Sequence, residues 1–398
     1  MKKIWKRVIG LTVTGILVVG SLTACGDKDK DSGSDEAKGS DIKIAVVCDS
    51  AGQNDNGYNQ SAVNGAKKAA DELGAEYKVV EPTTGVPQAL ESLAEDGYNV
   101  IFNLEYDFEA LISGTGGSKP IAEMYPDTTF VCFNDNPNQD EAGEVIHDNV
   151  ISVLFDVHEA SYIAGALSVL VNENAETLFG TEEYKFTPAD QNGRSIGFIG
   201  GTNSNGITVF SYGFIEGINH IAQELGVKYD YYAKYDAGFA DSATGSTVAG
   251  TYYNQGANIV FSVAGSVGDG VAAKAKEEGK LAIHVDANKD DQQPGNILTS
   301  VIKNTEVPVY EITKSAVDGK VSEMDRLQSY SLSSGATSIT DLTEISKYIQ
   351  ESGSDKWEEI KTQIADLETK IGEGTIKVTN AQDGEELDPA ACPNVTVK

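Results

Sequence analysis

The sequence has little arginine, few cysteines and no long apolar run after its first 24 residues. It contains 4 Cys and 2 Trp among 398 residues, and beyond residue 24 arginine is found only as Arg194 and Arg326. Arginine is the side chain that best holds a carboxylate or a phosphate through two hydrogen bonds. A site built for an anionic ligand is therefore disfavoured, although a Lys or a helix N-terminus could still serve.

Cysteine and histidine give no indication of a metal site or a disulfide framework. Besides Cys25 there are three thiols, an odd number, and Cys48 and Cys132 lie inside apolar, strand-like runs where they are expected to be free and buried. No Walker loop and no Gly-x-Ser-x-Gly motif is present. The four histidines have no pairing at helical spacing that would suggest zinc: His147, His158, His220 and His284. We expect no metal, no cofactor and no enzymatic activity.

The chain is strongly acidic. Its formal charge is −31, and removal of the first 24 residues, which carry four positive charges and no negative ones, would take it to −35. Nucleic-acid phosphates and anionic lipid headgroups repel such a protein. We therefore exclude nucleic acid and a peripheral lipid surface as partners.

The amino terminus predicts export and lipid anchoring. Positive residues precede a 13-residue apolar run, residues 8–20, which is too short to span a bilayer stably. The following Leu-Thr-Ala-Cys25 resembles the bacterial lipobox, in which the cysteine is diacylated and the chain is cut just before it. Residues 1–24 are thus a predicted signal peptide, and residues 25–40 a lipidated Cys25 with a flexible tether. The alternative is an ordinary secretory signal with an incidental Cys.

From residue 41 onward, short β runs alternate with helical stretches, which predicts parallel sheets covered by helices on both faces. About 290 residues of this pattern exceed one core, so the prediction is α/β with two doubly wound lobes joined by a hinge. We place the break near residues 154–159. The first lobe is predicted as 41–155 plus about 286–325, and the second as 156–285 plus about 326–398 with an acidic tail. Residues 181–192 are expected to be a surface insertion, and residues 375–378 a late strand.

Four polar loops follow predicted strands, at the edge where open α/β sheets bind ligands. They are rich in Gly, Asn and Asp, which suits hydrogen bonding to a polar, uncharged ligand. Their ranges are 49–60, 200–210, 264–270 and 286–288.

Six motifs in these loops and their flanking segments resemble, in order, those of the basic-membrane-protein family of bacterial lipoproteins. Residues 49–60 are similar to the family's D-x-G-G-x-N-D-x-S-F-N-x, and Phe210 to Gly217 matches F-x-x-G-F-x-x-G. The others are Glu159-Ala-Ser-Tyr-Ile-Ala-Gly, Gly-Phe-Ile-Gly-Gly-Thr and Leu298-Thr-Ser-Val-Ile-Lys303, with the segment around Asp286 between them. The likeness covers about residues 42–310. It implies a two-lobed body like a type I periplasmic binding protein. The family contains purine-nucleoside-binding components of ABC importers.

The resemblance also implies roles for single residues. Tyr58 and Phe210 would face each other across the cleft and sandwich a base, which is typically worth about 1–3 kcal/mol per base. Asp49, with Asn59 nearby, would hydrogen-bond the base or the sugar. Asp135, or its neighbour Asn134, would accept from base N–H groups.

The same resemblance places the sugar beside the end of the chain's later strands. Asp286 would accept from ribose hydroxyls, the Gly265 backbone would assist, and Lys303 would donate to the same sugar. Tyr58 departs from the usual Phe of the family, so its hydroxyl needs a partner.

Each of these residues also has an ordinary structural reading. Asp55 is expected to cap the helix that follows it. Tyr58 and Phe210 could be core residues at helix starts, Asp49 could be a turn residue, and Lys303 could be a solvated strand terminus.

Together these observations predict a substrate-binding lipoprotein of an ABC importer. It would capture a nucleoside, expected to be a purine nucleoside, and deliver it to a permease and its ATPase subunits. We expect a monomer that touches the membrane through its lipid anchor alone. The alternatives are a sugar-binding protein of the same architecture, a sensory lipoprotein that presents its ligand to a receptor, and an extracytoplasmic hydrolase, which the missing nucleophile and metal motifs disfavour.

Overall fold

The computed structural model describes residues 40–398. The predicted signal peptide, Cys25 and the predicted tether up to residue 39 lie outside the described residues. None of the helices in the described part of the chain is long and apolar enough to cross a membrane.

Thirteen β-strands are present within residues 40–398. In chain order they are β1 Lys43–Val47, β2 Glu76–Val80, β3 Val100–Asn103, β4 Thr129–Phe133, β5 Val150–Phe155, β6 Ser195–Gly200, β7 Tyr229–Lys234, β8 Ile259–Val263, β9 Leu281–Asp286, β10 Ile297–Lys303, β11 Leu327–Tyr330, β12 Thr337–Ile339 and β13 Val395–Val397.

The same residues form twelve α-helices. They are α1 Tyr58–Leu73, α2 Val86–Glu95, α3 Glu109–Ile112, α4 Ile121–Met124, α5 Val157–Glu173, α6 Ala175–Leu178, α7 Asn205–Leu225, α8 Ser242–Asn254, α9 Val267–Glu278, α10 Glu306–Val317, α11 Thr343–Ser346 and α12 Ser354–Gly372. Short 3-10 helices occupy several connections: Ala189–Gln191, Val321–Glu323, Leu332–Ser334, Glu351–Gly353, Ala381–Asp383 and Pro389–Ala391.

The strands form two sheets, as the sequence pattern predicts. The first has the order β11-β5-β4-β3-β1-β2 and is parallel throughout. The second has the order β12-β10-β9-β8-β6-β7-β13, and β12 alone runs antiparallel to its neighbour. Helices cover both faces of each sheet, which explains why β4 and β5 are buried along their whole length. The predicted α/β fold with two lobes is confirmed.

Within residues 40–398 the chain crosses between the lobes three times. The first crossing lies at Asp156, because β5 belongs to the first sheet and α5 packs against α7 of the second lobe. The second lies at residues 304–305, since β10 ends in the second sheet and α10 packs against α1. The third lies between β11 and β12, at residues 331–336. The first lobe thus comprises residues 40–155 and 306–330, and the second lobe residues 157–303 and 337–398.

The predicted division of the chain was wrong in two places. Residues 286–303 were assigned to the first lobe, but β10 pairs with β9 and β12 in the second sheet. Residues from 326 were assigned to the second lobe, but β11 pairs with β5 in the first sheet. Apolar patterning predicts that a strand is present and carries no information on which of two similar sheets it joins.

Some elements also differ from the expectation. Strand β7, whose sequence is YDYYAK, was not predicted. The late strand expected at residues 375–378 is absent from the described structure, because the backbone N–H groups of Thr375 and Ile376 bond back to the carbonyl of Lys370 at the end of α12. The predicted free, buried thiols of Cys48 and Cys132 are confirmed.

The acidic tail is folded and forms part of the second lobe. Helix α12 packs against α5 and buries one face, which consists of Trp357, Ile360, Ile364, Leu367 and Ile371. The last strand, β13, then pairs with β7 at the edge of the second sheet. Four acidic side chains of α12, Asp355, Glu358, Glu359 and Asp366, are exposed on the opposite face, as is usual for an amphipathic helix.

Candidate functional site

The candidate site is a small cavity between the lobes, where the carboxyl ends of strands from both sheets meet. Its lining residues come from the first lobe (Asp49, Ala51, Asp55, Tyr58, Tyr106) and from the second (Ile207, Phe239, Val263, Ala264, Gly265, Val285, Asp286, Lys303). The space open to the centre of a water molecule is about 40 Å³, whereas pockets for small molecules typically measure about 300–1,000 Å³. The lobes are therefore closed on each other, and a small-molecule ligand would enter after they separate.

A contact between the lobes beside the cavity supports this closed arrangement. Gly57 belongs to the first-lobe loop, and a Cβ atom built on it would lie 3.3 Å from Lys289 Nζ and 3.5 Å from Asp286 Cβ of the second lobe. A side chain at position 57 would therefore contact Asp286 and lie tightly against Lys289 Nζ. The loop that follows β1 thus rests directly on the loop that follows β9.

The cavity brings together five of the predicted site residues, and three others lie outside its lining. The five that line it are Asp49, Tyr58, Gly265, Asp286 and Lys303. The three that do not are Asn59, Asp135 and Phe210. Larger open grooves exist on the second lobe, such as one of about 1150 Å³ beside α12, but that groove gathers none of the strand-end loops.

On the first-lobe wall, Asp49 is held by protein hydrogen bonds. Its Oδ1 accepts from Asn59 Nδ2 at 2.6 Å and from the backbone N–H of Ala51 at 2.9 Å. Asn59 also accepts from the Asp49 backbone N–H at 2.9 Å and is fully buried. Asn59 therefore positions Asp49 and does not itself face the cavity.

The pKa of the Asp49 carboxyl is raised, chiefly because burial disfavours its charged form. The hydrogen bonds from Asn59 and Ala51 oppose this shift, while the negative charges of Asp55 and Asp286 reinforce it. Asp286 belongs to the other lobe, so closure itself adds to the unfavourable environment of the Asp49 carboxylate.

Asp55 caps α1, as the sequence predicted. Its Oδ1 accepts from the backbone N–H groups of Gly57 and Gln60 at 2.9 Å, and its Oδ2 accepts from the backbone N–H of Asn59 at 2.9 Å. These groups would otherwise be unpaired donors at the start of the helix.

The hydroxyl group of Tyr58 has two protein partners. It donates to the Leu104 carbonyl at 3.2 Å and accepts from Asn134 Nδ2 at 2.8 Å. Burial raises the pKa of Tyr58 well above its ordinary value, so the hydroxyl stays protonated. The departure from Phe at this position is thereby explained, since the additional oxygen is fully hydrogen-bonded.

Of the two neighbouring candidates after β4, Asn134 is the one that points inward. Asn134 is buried and has a left-handed backbone with φ of 64°, and its Oδ1 accepts from Lys303 Nζ at 3.3 Å. Asp135 is exposed and bonds the backbone N–H of Asn136. In this closed structure Asp135 therefore lies outside the cavity lining, and the expected contact of Asp135 or Asn134 with a base stays a prediction.

On the second-lobe wall, Asp286 and Lys303 form a buried pair of opposite charge. Lys303 Nζ lies 3.6 Å from Asp286 Oδ1, and both side chains are about one-tenth exposed or less. Asp286 has φ of 74°, a left-handed conformation that is uncommon for residues other than glycine. Strained backbone of this kind is often found at functional sites.

The aromatic residues do not form the expected open sandwich. Phe210 has no exposed surface and packs edge-on against Phe261, with ring centroids 6.3 Å apart. Lys303 Nζ lies 4.4 Å from the ring centroid of Tyr58 and 5.7 Å from that of Phe210. The ammonium group thus lies near both rings, and the expected sandwich of a base between Tyr58 and Phe210 stays a prediction.

Two aromatic residues that sequence reasoning missed do line the cavity. Phe239 lies so close to Gly201 that a Cβ there would be 2.2 Å from its ring, and Tyr106 lies against Gly206 of α7. Tyr106 follows β3, and the apolar run at residues 98–104 predicts a strand there, so the rule that ligands bind beyond strand ends could have identified Tyr106. Phe239 follows β7, and it was missed together with that strand.

Neither arginine of the described chain is near the cavity. Arg194 forms two hydrogen bonds of 2.9 Å with Glu173, and Arg326 donates to the backbone carbonyls of Asp148, Met324 and Val321. Among residues 40–398, no group of three or more His, Cys, Asp and Glu side chains could hold a metal ion. The polar and aromatic groups that line the cavity are three carboxylates (Asp49, Asp55 and Asp286), the ammonium group of Lys303 and three aromatic rings.

Within residues 40–398, two α/β lobes joined by three crossings form a cleft lined by polar strand-end loops, an arrangement suited to binding a small ligand. A solute-binding protein of an ABC transporter from Aeropyrum pernix K1 has a similar fold, with a TM-score of 0.67 and 22% identity over 86% of this chain and 96% of that one. The family model described as ABC transporter substrate-binding protein PnrA-like matches residues 42–373. The chain belongs to this family, whose members bind a substrate for transport and are not enzymes.

Curated relatives agree with this assignment. The ABC transporter nucleoside-binding protein BmpA of Lactococcus lactis subsp. cremoris is 27% identical over 399 residues, which cover 94% of this chain and 99% of that protein. Basic membrane protein A1 of Borrelia garinii subsp. bavariensis is 26% identical over 296 residues, which cover 74% of this chain and 78% of that protein.

Proposed function

We propose that this substrate-binding protein captures a nucleoside, and specifically a purine nucleoside, in the cleft between its lobes. The observation that carries the proposal is the buried Asp286–Lys303 pair facing Asp49 across the cavity. A ribose diol needs both acceptors and donors, which a carboxylate and an ammonium group supply together. The name of the Lactococcus lactis relative supports the same class of ligand.

The charges of the cavity favour an uncharged ligand that donates hydrogen bonds. Three carboxylates, those of Asp49, Asp55 and Asp286, line it against the single ammonium group of Lys303. A nucleotide would bring its phosphate into this acidic environment, where neither arginine of the described residues 40–398 is near. A nucleoside carries base N–H groups and sugar hydroxyls, and it adds no negative charge.

We assign the roles of the binding residues accordingly. Asp286 accepts from the sugar hydroxyls, Lys303 donates to the sugar, and the Gly265 backbone approaches it closely. Asp49 accepts from the ligand on the first-lobe wall, and Asn59 holds Asp49 in place. The base packs against the aromatic rings that border the cavity, Tyr58, Tyr106 and Phe239, since each stacked base gains about 1–3 kcal/mol. Phe210 supports this arrangement from behind, and Asn134 takes the place first expected for Asp135.

We also propose that the protein is a lipoprotein anchored through Cys25 on the extracytoplasmic face of the cell membrane, where it acts as a monomer. Its partners there are the permease and the ATPase subunits of an importer. The lipobox residues before Cys25 support this proposal, as does a relative from Pyrococcus abyssi named an uncharacterized lipoprotein, which is 25% identical over 321 residues. Mass spectrometry of the protein from membranes tests it, because an unmodified Cys25 would exclude the anchor.

A thermal-shift panel tests the ligand. Purine nucleosides, pyrimidine nucleosides, free bases, pentoses and nucleoside monophosphates are each added to the purified protein. A ligand at 100 times its Kd adds about 2.7 kcal/mol of stability, so we expect a clear rise in Tm with purine nucleosides and little with monophosphates. A rise with free pentose but not with nucleosides would replace the proposal with a sugar-binding function.

A further inference from the structure

A hydrogen-bonded turn in the acidic tail lies against the cleft. Glu216 of α7 anchors the turn, since its carboxylate accepts from the backbone N–H of Thr379 at 2.9 Å and from the Thr379 hydroxyl at 2.7 Å. The Asn380 side chain then caps the next turn by accepting from the backbone N–H of Gln382 at 3.0 Å. Ala381 is buried against α7. This turn, residues 379–385, is therefore held rigidly on the second lobe.

Gln382 reaches from this turn to the first lobe. Its Nε2 donates to the backbone carbonyl of Asn134 at 3.0 Å. A carbonyl oxygen only accepts hydrogen bonds, so the amide nitrogen of Gln382 must be the atom that faces it. The other end of the amide, Oε1, is buried and has no protein partner within residues 40–398. The side-chain hydrogen bond of Gln382 within residues 40–398 is therefore made through its amide nitrogen.

Asn134 in turn connects to the residues of the cavity. Its Nδ2 donates to the Tyr58 hydroxyl at 2.8 Å, and its Oδ1 accepts from Lys303 Nζ at 3.3 Å. Tyr58 belongs to the first lobe and Lys303 to the second. A continuous chain of hydrogen bonds thus runs from the tail through Asn134 to two residues that line the cavity.

We propose that Gln382 is a positioning residue that fixes Asn134 and favours the closed arrangement of the lobes. The hydrogen bond from Gln382 to Asn134 joins the two lobes and is therefore lost when they separate. An interaction present in one state alone shifts the equilibrium toward that state. This inference rests on the proposed function for its link to ligand affinity. Gln382 also lies beyond residue 373, where the match to the family model ends. The hydrogen bond from Gln382 to Asn134 is thus made by the tail of this chain.

The test compares Gln382→Ala and Gln382→Glu with the wild-type protein. The Glu variant keeps the size of the side chain, but its carboxylate does not donate at neutral pH. Glu386→Gln is the matched control, because Glu386 is exposed in the same segment and has no hydrogen bond or ion pair there. Small-angle X-ray scattering of the ligand-free proteins measures closure, and calorimetric titration measures the Kd of a purine nucleoside.

We expect both Gln382 variants to have a larger radius of gyration than the wild type and a Kd about three- to tenfold weaker, as is typical for loss of one hydrogen bond. Their Tm without ligand should stay close to that of the wild type, and Glu386→Gln should change none of the three quantities. Wild-type scattering and Kd in Gln382→Ala would overturn the proposal. Wild-type behaviour of Gln382→Glu alone would also overturn it, since packing and not donation would then matter. If neither the wild type nor the variants bind a nucleoside, the proposed function fails, but the scattering of the ligand-free proteins still shows whether Gln382 favours the closed arrangement.

Discussion

The two walls of the cleft use their polar groups differently. On the first-lobe wall, Asp49 and Tyr58 are already hydrogen-bonded by Asn59, Asn134 and backbone groups of the same lobe. On the second-lobe wall, Asp286 has a strained backbone, and its one ionic partner among the described residues is Lys303 at 3.6 Å. That separation is longer than a charge-assisted hydrogen bond of about 2.7–2.9 Å. The second wall therefore retains the greater capacity to bind a ligand.

This difference indicates how binding and closure are divided between the lobes. A ligand on the first wall must share Asp49 with existing partners, so it gains little new hydrogen-bond energy there. A ligand on the second wall can satisfy Asp286 and Lys303, both of which are almost completely buried. We infer that the second wall supplies most of the polar binding energy and that the first wall supplies shape and orientation.

The aromatic residues of the second lobe show a related contrast. Phe210 is fully buried against Phe261, whereas Phe239 is partly exposed and lines the cavity. The first should stabilise the fold, and the second should contact the ligand.

The largest expected effect comes from this aromatic pair. Phe210→Ala should lower the free energy of unfolding by about 3–5 kcal/mol, because it leaves a cavity in the core. Phe239→Ala should weaken nucleoside binding by about 1–3 kcal/mol with a smaller loss of stability. Urea unfolding and calorimetric titration measure the two quantities. If Phe210→Ala keeps its normal stability but loses its affinity for the nucleoside, the result would instead support the first expectation, in which Tyr58 and Phe210 sandwich the base.

A smaller effect is expected from the charge of the second wall. Asp286→Asn should weaken nucleoside binding by about 1.5–3 kcal/mol, the usual value of a hydrogen bond to a charged group. Asparagine tolerates the left-handed backbone at this position, so the fold should be preserved, and circular dichroism serves as the control. Unchanged affinity would mean that the second wall does not hold the sugar.

The smallest effect concerns the first wall and depends on pH. Because the pKa of Asp49 is raised in the folded protein, its carboxylate destabilises the fold above that pKa, and this penalty vanishes below the ordinary value of 3.8, where the group is protonated in both states. Asp49→Asn should therefore have a higher Tm than the wild type at pH 7 without ligand, and the difference should disappear as the pH falls toward 4. A difference that stays constant with pH would rule out the charge as its cause.

The sequence was sufficient to predict what depends on local pattern. The alternation of short apolar runs with helical stretches predicts the two lobes, whereas the five predicted residues of the cavity lining come from the resemblance of the motifs to the basic-membrane-protein family. The capping role of Asp55 also followed, because a carboxylate just before a helix has few other partners.

Contacts over long sequence distances could not be predicted in the same way. Tertiary packing decides which sheet β10 joins and how deeply Phe210 is buried. It also decides which of the neighbours Asn134 and Asp135 points inward. Gln382 contacts a residue 248 positions away, and no local pattern in the acidic tail indicates that contact.

The central claim is that the cleft recognises a nucleoside through the diol of its sugar. Calorimetric titration of the purified protein with a purine nucleoside and with its 2′,3′-dideoxy counterpart tests this claim most directly. The account predicts one nucleoside per protein chain and a Kd at least tenfold weaker for the dideoxy compound, since Asp286 and Lys303 would lose their partners. Equal affinity for the two compounds, or no binding of either, would contradict it.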